Sequence, residues 1–311
     1  MGTPDFSVQT MEALLGAGHE IILAVTQPDR PKGRGKQMAV SPVKEYALSH
    51  GIKVFQPEKI REPKAISFLK QFPCDVMVVV AFGQILPREV LQLPPYGCIN
   101  VHASLLPKYR GAAPIQYSLM AGDTLTGVTT MQMDVGMDTG DILLQETYEI
   151  RPEETGGSLF EVLSAMGAGL CVKTLDAMEK GTLIPIPQDD EKATYTRMIR
   201  KTDGRIDFSK SAEEIACLIR AMTPWPSAYC SFSGKTMKIW SAQAVSENAF
   251  RKPSADNLLF GSVAAVEKEA FYVKTGKGYL KITELQMEGK KRMKTGAFLR
   301  GYALAAGQLL R

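Results

Sequence analysis

Two short apolar runs constrain the fold of this chain more than any other feature. VMVVVAFG at 76–83 and GCINVH at 97–102 are continuous runs rich in valine and isoleucine, which is typical of strands buried on both faces of a sheet. Before them, SVQTMEALLGAGHE (7–20) has helical apolar spacing that ends at Gly16 and Gly18, and the strand-like IILAVTQ follows. Helices that alternate with buried strands predict an α/β domain with an open, mostly parallel sheet.

A second domain is predicted after residue 201. The segment 182–201 contains prolines and an acidic cluster, which suits an exposed linker. SAEEIACLIRAM (211–222) then predicts a helix with Ser211 as its N-cap. Short alternating segments punctuated by glycine follow it and predict a small antiparallel β-barrel. We therefore expect domains at 1–181 and 202–311, joined by a linker at 182–201.

Charge separates the two halves of the chain. Residues 1–194 contain 17 Lys and Arg against 23 Asp and Glu, whereas residues 195–311 contain 20 against 10. The net charges are therefore −6 and +10. A basic second half favours a polyanionic partner such as nucleic acid, although a merely solvated basic surface is the alternative.

Composition excludes several functional classes. The 311 residues include five scattered cysteines without a Cys-x-x-Cys pair and only three histidines, so neither a zinc site nor an imidazole metal site is expected. No apolar run approaches the roughly 20 residues of a membrane span. We expect a cytoplasmic monomer that contains no metal and does not associate with membranes.

The best candidate for chemistry lies at the end of the second buried run. Side chains alternate along a strand, so Asn100 and His102 are expected on the same side, at the carboxyl edge of the sheet where such folds bind ligands. An amide can donate to a developing oxyanion, and an imidazole can exchange a proton near neutral pH. Alone, this Asn-x-His pattern is weak, since a structural histidine is the commoner case.

A carboxylate is available in DVGMDTGD (134–141), which follows the strand-like VTTMQM (128–133). Gly136 and Gly140 permit the tight turns that would bring this loop against a neighbour. The three aspartates could all be turn formers. We favour that interpretation for Asp134 and Asp141 and assign Asp138 to the site.

Longer motifs extend these observations to most of the chain. INVHASLLPKYRGAAPIQ followed by GVTTMQMDVGMDTGDILL resembles the catalytic core of the 10-formyltetrahydrofolate-dependent formyltransferases. GTPDFSV, TQPDRPKGRGKQMAVSPVK, DGRIDFSKSAEEIACLIRAMTPWPSAY and GKKRMKTGAFLRG resemble the members that act on aminoacylated tRNA. The resemblance implies a Rossmann-like formyltransferase domain followed by an OB-like β-barrel that binds tRNA.

The resemblance also assigns roles to particular residues. Asn100, His102 and Asp138 match the family's catalytic residues, and Ser104, Leu105, Leu106 and Pro107 match its folate-contacting segment. The implied reaction transfers the formyl group of the cosubstrate 10-formyltetrahydrofolate to the α-amino group of methionine on initiator tRNA. In our mechanistic hypothesis, Asn100 and protonated His102 stabilise the oxyanion while Asp138 pairs with His102 and sets its tautomer and charge.

Two basic clusters are candidates for contact with the RNA. The first lies in a glycine- and proline-rich loop, whose spacing does not match a phosphate-binding GxxxxGK[ST] loop; by resemblance, Arg34 reaches the end of the acceptor stem. The second lies near the end of the chain and would contact backbone phosphates. Their members are Arg30, Lys32, Arg34 and Lys36 in the first cluster, and Lys290, Lys291, Arg292 and Lys294 in the second.

Other interpretations remain open at this stage. The same core could formylate a small amine such as a phosphoribosyl glycinamide or a nucleotide-linked amino sugar, or the chain could be a nucleic-acid-binding module with a decayed site. The start of the chain departs from the family, which has a strand before GTPDF. Since none precedes it here, we expect unpaired strand backbone in the sheet.

Overall fold

The computed structural model describes residues 1–32, 37–250 and 258–311, with the side chains of Lys32 and Gln37 outside the description. The chain forms two compact units. Unit 1 comprises residues 1–114, 125–149 and 160–196; unit 2 comprises residues 115–124, 150–159 and 197–311.

The first two-thirds of the chain alternates short strands with helices. The helices are α1 (Asp5–Gly16), α2 (Pro42–Ser49), α3 (Pro63–Leu69), α4 (Arg88–Leu91), α5 (Pro114–Met120) and α6 (Gly156–Glu179). The strands are β1 (Ala24–Val25), β2 (Arg30–Lys32), β3 (Gln37–Ala39), β4 (Val54–Phe55), β5 (Met77–Val79), β6 (Cys98–His102), β7 (Arg110–Gly111), β8 (Leu125–Gln132), β9 (Ile142–Glu149) and β10 (Tyr195–Thr196).

The main sheet of unit 1 is mixed. Its strand order is β5-β6-β8-β9; β5 pairs with β6 in parallel, and the other two pairs are antiparallel. The strands β1 and β4 form a separate parallel pair. The predicted α/β class is confirmed. The parallel part of this sheet ends at β6. The consecutive strands β8 and β9 form a hairpin, and β8 pairs with β6 in the antiparallel direction.

Residues Met1 and Gly2 join the two parallel pairs. The Gly2 amide donates to Val25 O at 2.9 Å, and the Val80 amide donates to Met1 O at 2.9 Å. The Met1 nitrogen donates to Val78 O at 2.6 Å. Met1, residues 21–25 and residues 74–78 are among those that line a cavity of about 620 Å³. Two residues of the amino terminus therefore connect β1 to β5 across this part of the sheet.

Unit 2 contains the predicted barrel-like domain. Its elements are α7 (Ala212–Ala221), β11 (Ala228–Phe232), β12 (Lys235–Val245), β13 (Val263–Val266), β14 (Phe271–Lys274), β15 (Tyr279–Met287), β16 (Met293–Lys294) and α8 (Thr295–Gly301). The antiparallel order is β11-β12-β15-β14-β13, and β16 pairs with β15. Phe271, Leu280 and Ile282 are fully buried and form part of its core.

The last residues of the chain lie between the two edges of this sheet. The Arg311 amide donates to Ser231 O in β11 at 3.0 Å, and the Leu310 amide donates to Gly261 O beside β13 at 2.8 Å. The Val263 amide donates to Gln308 O at 2.7 Å. Because residues 308–311 bond to both edge strands, they satisfy backbone groups that an open sheet would expose.

The helix predicted at 211–222 is present, with the predicted N-cap. The α7 helix begins after Ser211, whose hydroxyl accepts from the Glu214 amide while the Glu214 carboxylate accepts from the Ser211 amide. This reciprocal arrangement is a capping box.

Within the described part of the chain, α6 alone has the length and apolar composition of a membrane span. Its Leu163, Leu170 and Leu175 are buried in the protein core.

The predicted linker contains ordered structure. Residues Asp190–Lys192 and Lys201–Gly204 form short 3₁₀ turns, and β10 pairs with β7 in parallel. Unit 1 extends through Thr196, and unit 2 includes two earlier segments of the chain, at 115–124 and 150–159. The compact units therefore interleave along the sequence, whereas the predicted boundaries are contiguous.

Candidate active site

The β6 strand positions the first two candidate residues. Asn100 and His102 are two residues apart, so both project from the same face. Asn100 pairs with Val79 of β5 and Met131 of β8, and both candidate residues are buried, with 8% and 6% of their surface exposed. The strand ends at His102, which places the imidazole at the carboxyl edge of the parallel pair, as the alternation predicts.

The proton on His102 is assigned by a backbone carbonyl. His102 Nε2 lies 2.9 Å from Tyr109 O, and a carbonyl oxygen can only accept, so Nε2 carries a hydrogen. The other nitrogen, Nδ1, lies 3.7 Å from Asp138 Oδ2. The hypothesis that Asp138 sets the tautomer is therefore corrected: Tyr109 O does so, and Asp138 supplies a negative charge beside Nδ1.

Asp138 is held by donors on two sides. Its Oδ2 accepts from the Gly111 amide at 2.7 Å, and its Oδ1 accepts from Asn100 Nδ2 at 3.3 Å. The residue has φ of +54°, a left-handed conformation uncommon for a side chain other than glycine. The structure thus brings together Asn100, His102 and Asp138, which are separated by up to 38 residues in sequence.

The two neighbouring aspartates have different surroundings. Asp134 Oδ1 accepts from the Gly136 amide at 3.0 Å and from Thr139 Oγ1 at 2.7 Å. Asp141 contributes its backbone carbonyl to the Gln132 amide at 2.8 Å. Asp134 therefore forms the turn that carries Asp138, in agreement with its interpretation as a turn former.

The segment Ser104–Pro107 continues directly from β6. Ser104 Oγ donates to Lys108 O at 2.6 Å, and the Leu106 amide donates to Thr129 Oγ1 at 3.2 Å. Ser104 and Leu106 are buried, whereas Leu105 and Pro107 are half-buried. The hydroxyl of Ser104 is thus used within the protein, and Leu105 and Pro107 are the members that present surface.

Sequence reasoning missed the groups that hold the candidate residues in place. Two of them, Tyr109 O and the Gly111 amide, are backbone atoms. Gly111 has φ of +101°, and a Cβ there would lie 2.5 Å from Thr196 O. Two others, Arg110 and Gln188, are side chains. The KYRG stretch contains one signal, a glycine directly after a cation, but nothing in the sequence marks Gln188.

The basic residues of the second cluster lie on a hairpin of unit 2. The turn between β15 and β16 contains Lys290, Lys291 and Arg292, and all three are exposed, as is Lys294 in β16. Arg292 donates to both carboxylate oxygens of Glu284, at 2.7 and 2.9 Å, and Lys294 lies 3.2 Å from the same carboxylate. The pKa of Glu284 is lowered, chiefly by its hydrogen bond with Arg292.

The first basic cluster is only partly described. Arg30 is exposed in β2, and its Nη2 lies 3.5 Å from Gln27 Oε1. Lys32 ends the same strand, while Arg34 and Lys36 lie outside the described residues. Within residues 1–32, 37–250 and 258–311, no group of three His, Cys, Asp or Glu side chains could hold a metal ion.

Comparison with known proteins identifies the class. The formyl transferase family model matches residues 1–175, and the model for the C-terminal domain of formyl transferases matches residues 198–303. The chain therefore belongs to the formyl transferase family.

Among its relatives, the methionyl-tRNA formyltransferase of Agathobacter rectalis is 56% identical, over 99% of this chain and 97% of that protein. The methionyl-tRNA formyltransferase of Lachnospira eligens is 51% identical, over 100% and 98% of the two chains.

Solved structures share the fold at lower identity. The N-formyltransferase of Helicobacter canadensis, in complex with folinic acid and dTDP-3-aminofucose, has a TM-score of 0.64 and is 20% identical, covering 94% of this chain and 97% of that one. WlaRD, a sugar 3N-formyl transferase, also has a TM-score of 0.64 and is 19% identical, covering 93% and 97%.

Proposed function

We propose that this chain transfers the formyl group of 10-formyltetrahydrofolate to the α-amino group of methionyl initiator tRNA. The product is N-formylmethionyl-tRNA, which is used in translation initiation. The observation that carries the proposal is the sequence identity of 56% and 51% to two methionyl-tRNA formyltransferases, over nearly the full length of the chain. The folinic acid in the related N-formyltransferase supports a folate as the formyl donor.

The reaction replaces one carbon–nitrogen bond with another. The amine nitrogen attacks the formyl carbon, a tetrahedral intermediate carries negative charge on oxygen, and the bond to folate N10 then breaks. The amine loses a proton and the departing folate nitrogen gains one. The Asn100 amide has a hydrogen left over after its bond to Asp138, so it can donate to the oxyanion.

His102 and Asp138 act together on charge and protons. The Tyr109 carbonyl occupies Nε2, so Nδ1 is the ring nitrogen that faces the reacting groups. When Nδ1 carries a proton, the ring can donate to the oxyanion, and the Asp138 carboxylate, 3.7 Å away, lies beside the positive charge of the ring. Asp138 also accepts the amine's proton, directly or through water. This division of roles needs the carboxylate where the Gly111 amide holds it.

The folate lies against the segment Ser104–Pro107 in this proposal. Leu105 and Pro107 are half-buried and directly follow His102 in the chain, so they offer apolar surface beside the reacting groups. Ser104 and Leu106 shape this surface through their bonds to Lys108 O and Thr129.

The RNA is bound by the two basic clusters. Lys290 and Lys291 are exposed on their hairpin and suit contacts to phosphates, as do Arg292 and Lys294 once Glu284 releases them. Arg30, Lys32, Arg34 and Lys36 act at the acceptor end; this assignment rests on resemblance. Arg34→Ala should impair use of tRNA far more than folate binding, and equal losses would contradict the assignment.

The domain roles follow from the same proposal. Residues 1–181 form the catalytic domain, 182–201 connect it, and 202–311 form the OB-like tRNA-binding domain, a division that the family matches at 1–175 and 198–303 support. The protein acts as a monomer in the cytoplasm, where translation supplies its substrate. The sedimentation coefficient of the purified chain tests whether the protein is a monomer.

The deciding experiment measures transfer of labelled formyl from 10-formyltetrahydrofolate to three acceptors: methionyl initiator tRNA, uncharged tRNA and phosphoribosyl glycinamide. We expect product on the charged tRNA alone. Transfer to phosphoribosyl glycinamide alone would support the proposed formyl transfer and contradict the proposed acceptor.

A further inference from the structure

Gln188 connects two parts of the site through all of its amide hydrogen-bonding groups. Its Nε2 donates to Asp138 O at 2.8 Å and to Gly140 O at 2.7 Å. Its Oε1 accepts from Arg110 Nε at 3.0 Å and from Arg110 Nη2 at 2.9 Å. One side chain therefore ties the main chain of the Asp138 loop to the side chain of Arg110.

Arg110 in turn fixes the opposite side of the site. It is 1% exposed, and it also donates to Asp190 Oδ1 at 2.7 Å and to the Tyr195 hydroxyl at 3.1 Å. Its own backbone stands between Tyr109, whose carbonyl accepts from His102, and Gly111, whose amide donates to Asp138. Movement of Arg110 would thus displace the partners of both catalytic side chains.

We propose that Gln188 is a positioning residue for formyl transfer, which acts by holding the Asp138 loop at the distance from residues 109–111 that the catalytic pair requires. The inference rests on the proposed role of Asp138. Gln188 is 50 residues away from Asp138 in sequence and touches no reacting atom in the proposed reaction, so its whole effect passes through the loop.

An amide is the only side chain of this length that fits both partners. The two carbonyls of Asp138 and Gly140 require a donor with two hydrogens, while the Arg110 guanidinium requires an acceptor. Glutamate would keep the acceptor for Arg110 but would face the two carbonyls with an oxygen that cannot donate. Gln188→Glu therefore breaks the connection to the loop while it keeps the connection to Arg110.

The left-handed conformation of Asp138 makes this connection consequential. A non-glycine residue at φ of +54° persists where the surrounding contacts determine it. The bonds from Gln188 to residues 138 and 140 act on the main chain at that position. Without them, the loop relaxes and the carboxylate shifts away from Nδ1 of His102, since the side chain follows its backbone.

A double-mutant cycle tests the proposal in the full chain. Formyl transfer to methionyl-tRNA is measured for the wild type, Gln188→Glu, Asp138→Asn and the double variant. We expect Gln188→Glu to lower kcat by roughly 10- to 100-fold, the scale of a misplacement of about 1 Å, with KM for both substrates little changed. In the Asp138→Asn background, the same change should cost less than about twofold, because residues that act as a unit are not additive.

The possible outcomes separate this inference from the proposed function. If Asp138→Asn lowers kcat and Gln188→Glu does not, the inference alone is overturned. If the decreases in kcat of the two single variants multiply in the double variant, Gln188 supports the fold and not the position of Asp138. This outcome also overturns the inference. If Asp138→Asn leaves kcat unchanged, the proposed role of Asp138 fails, and the role of Gln188 fails with it.

Two further variants guard against effects on folding and charge. Gln71→Glu makes the same substitution at an exposed position of unit 1 and should leave kcat unchanged. Gln188→Met keeps the length of the side chain and removes both sets of hydrogen bonds without adding charge; it should lower kcat at least as much as Gln188→Glu. A folded Gln188→Met variant with wild-type kcat would overturn the proposal.

Discussion

The proposed catalytic site at the end of β6 and the proposed tRNA-binding hairpin at 288–294 differ in how firmly their side chains are held. At the site, Asn100, His102 and Asp138 each have a fixed partner, and the side chains of His102 and Asp138 are only 7% and 17% exposed. On the hairpin, Lys290 and Lys291 are exposed. Lys294, with 73% of its side chain exposed, has an ion pair with Glu284.

The proposed function accounts for this difference, because the two regions would recognise different groups. Stabilisation of a tetrahedral intermediate depends on donors held in place before the reaction, in a site that excludes water. Phosphate binding depends mainly on the release of counterions, which needs positive charge near the backbone and little fixed geometry. The catalytic region should therefore be sensitive to small changes of shape, and the hairpin to salt.

The largest expected effect is the loss of His102. His102→Ala removes both the oxyanion donor and the partner of Asp138, so we expect kcat for formyl transfer to fall by roughly 100- to 10,000-fold, the range of acid–base and oxyanion contributions. The Kd for tRNA, measured by filter binding, should stay unchanged. Unaltered turnover would contradict the mechanism, and a parallel loss of tRNA binding would contradict the separation of the two regions.

A change of backbone shape should have the next largest effect. Gly111→Ala places a Cβ 2.5 Å from Thr196 O at a φ of +101°. We expect the free energy of unfolding to fall by roughly 2–4 kcal/mol, and formyl transfer to fall with it because the Gly111 amide holds Asp138.

A glycine with open surroundings provides the control for this prediction. Gly289 lies in the hairpin turn with φ of +72° and no atom within 4 Å of a Cβ added there. Gly289→Ala shares the positive φ and lacks the clash, so its loss of stability should be about 1–2 kcal/mol. Chemical denaturation measures both values. Equal losses for the two variants would mean that the contact with Thr196 has no influence.

These residues also show what the sequence could predict about the site. The period of two along β6 placed Asn100 and His102 on one face, and the glycines around Asp138 indicated a tight loop, because both features depend on neighbouring residues. The Tyr109 carbonyl and Gly111 amide are backbone groups that any residue would carry. Gln188 lies in a proline-rich stretch typical of a linker, and its partners are 48 to 78 residues away.

The same contrast applies to the fold. Buried apolar runs indicated the α/β class, and alternating segments separated by glycines indicated the antiparallel second domain. The bonds of residues 308–311 to both β11 and β13 were not predictable, because an extended terminus has no periodicity to mark its partner. The interleaving of the two units likewise depends on tertiary packing of residues 115–124 and 150–159, not on local pattern.

The hairpin should respond to charge removal through salt dependence. Lys290→Ala combined with Lys291→Ala removes two exposed cations, and we expect the slope of log Kd for tRNA against log salt to decrease by about 1.4–1.8. The effect on kcat at saturating tRNA should be small. Lys268→Ala with Lys277→Ala removes the same charge from exposed positions elsewhere in unit 2. An equal change of slope in the two double variants would mean that only the net charge of the protein affects tRNA binding.

The smallest expected effect concerns Glu284 of β15, whose carboxylate pairs with Arg292 and Lys294 of the hairpin. Its substitution should change both the stability of the protein and its affinity for tRNA. Arg292 lowers the pKa of this carboxyl, so the ion pair stabilises the folded protein above the usual pKa of 4.5 and ceases to do so as the pH falls through the lowered value. Glu284→Gln should cost about 0.2–1 kcal/mol at pH 7, since half of the Arg292 side chain is exposed. Thermal melts should show the difference from wild type narrowing below pH 4.5.

The same variant should bind tRNA more tightly. The glutamine amide keeps one acceptor oxygen but no charge, so Arg292 and Lys294 are held less strongly and become more available to phosphate. We therefore expect Glu284→Gln to lower stability slightly and to lower the Kd for tRNA at low salt, with an effect that disappears at high salt. A weaker affinity would mean that Glu284 orients Arg292 for the RNA, and that the hairpin, like the catalytic site, depends on a fixed geometry.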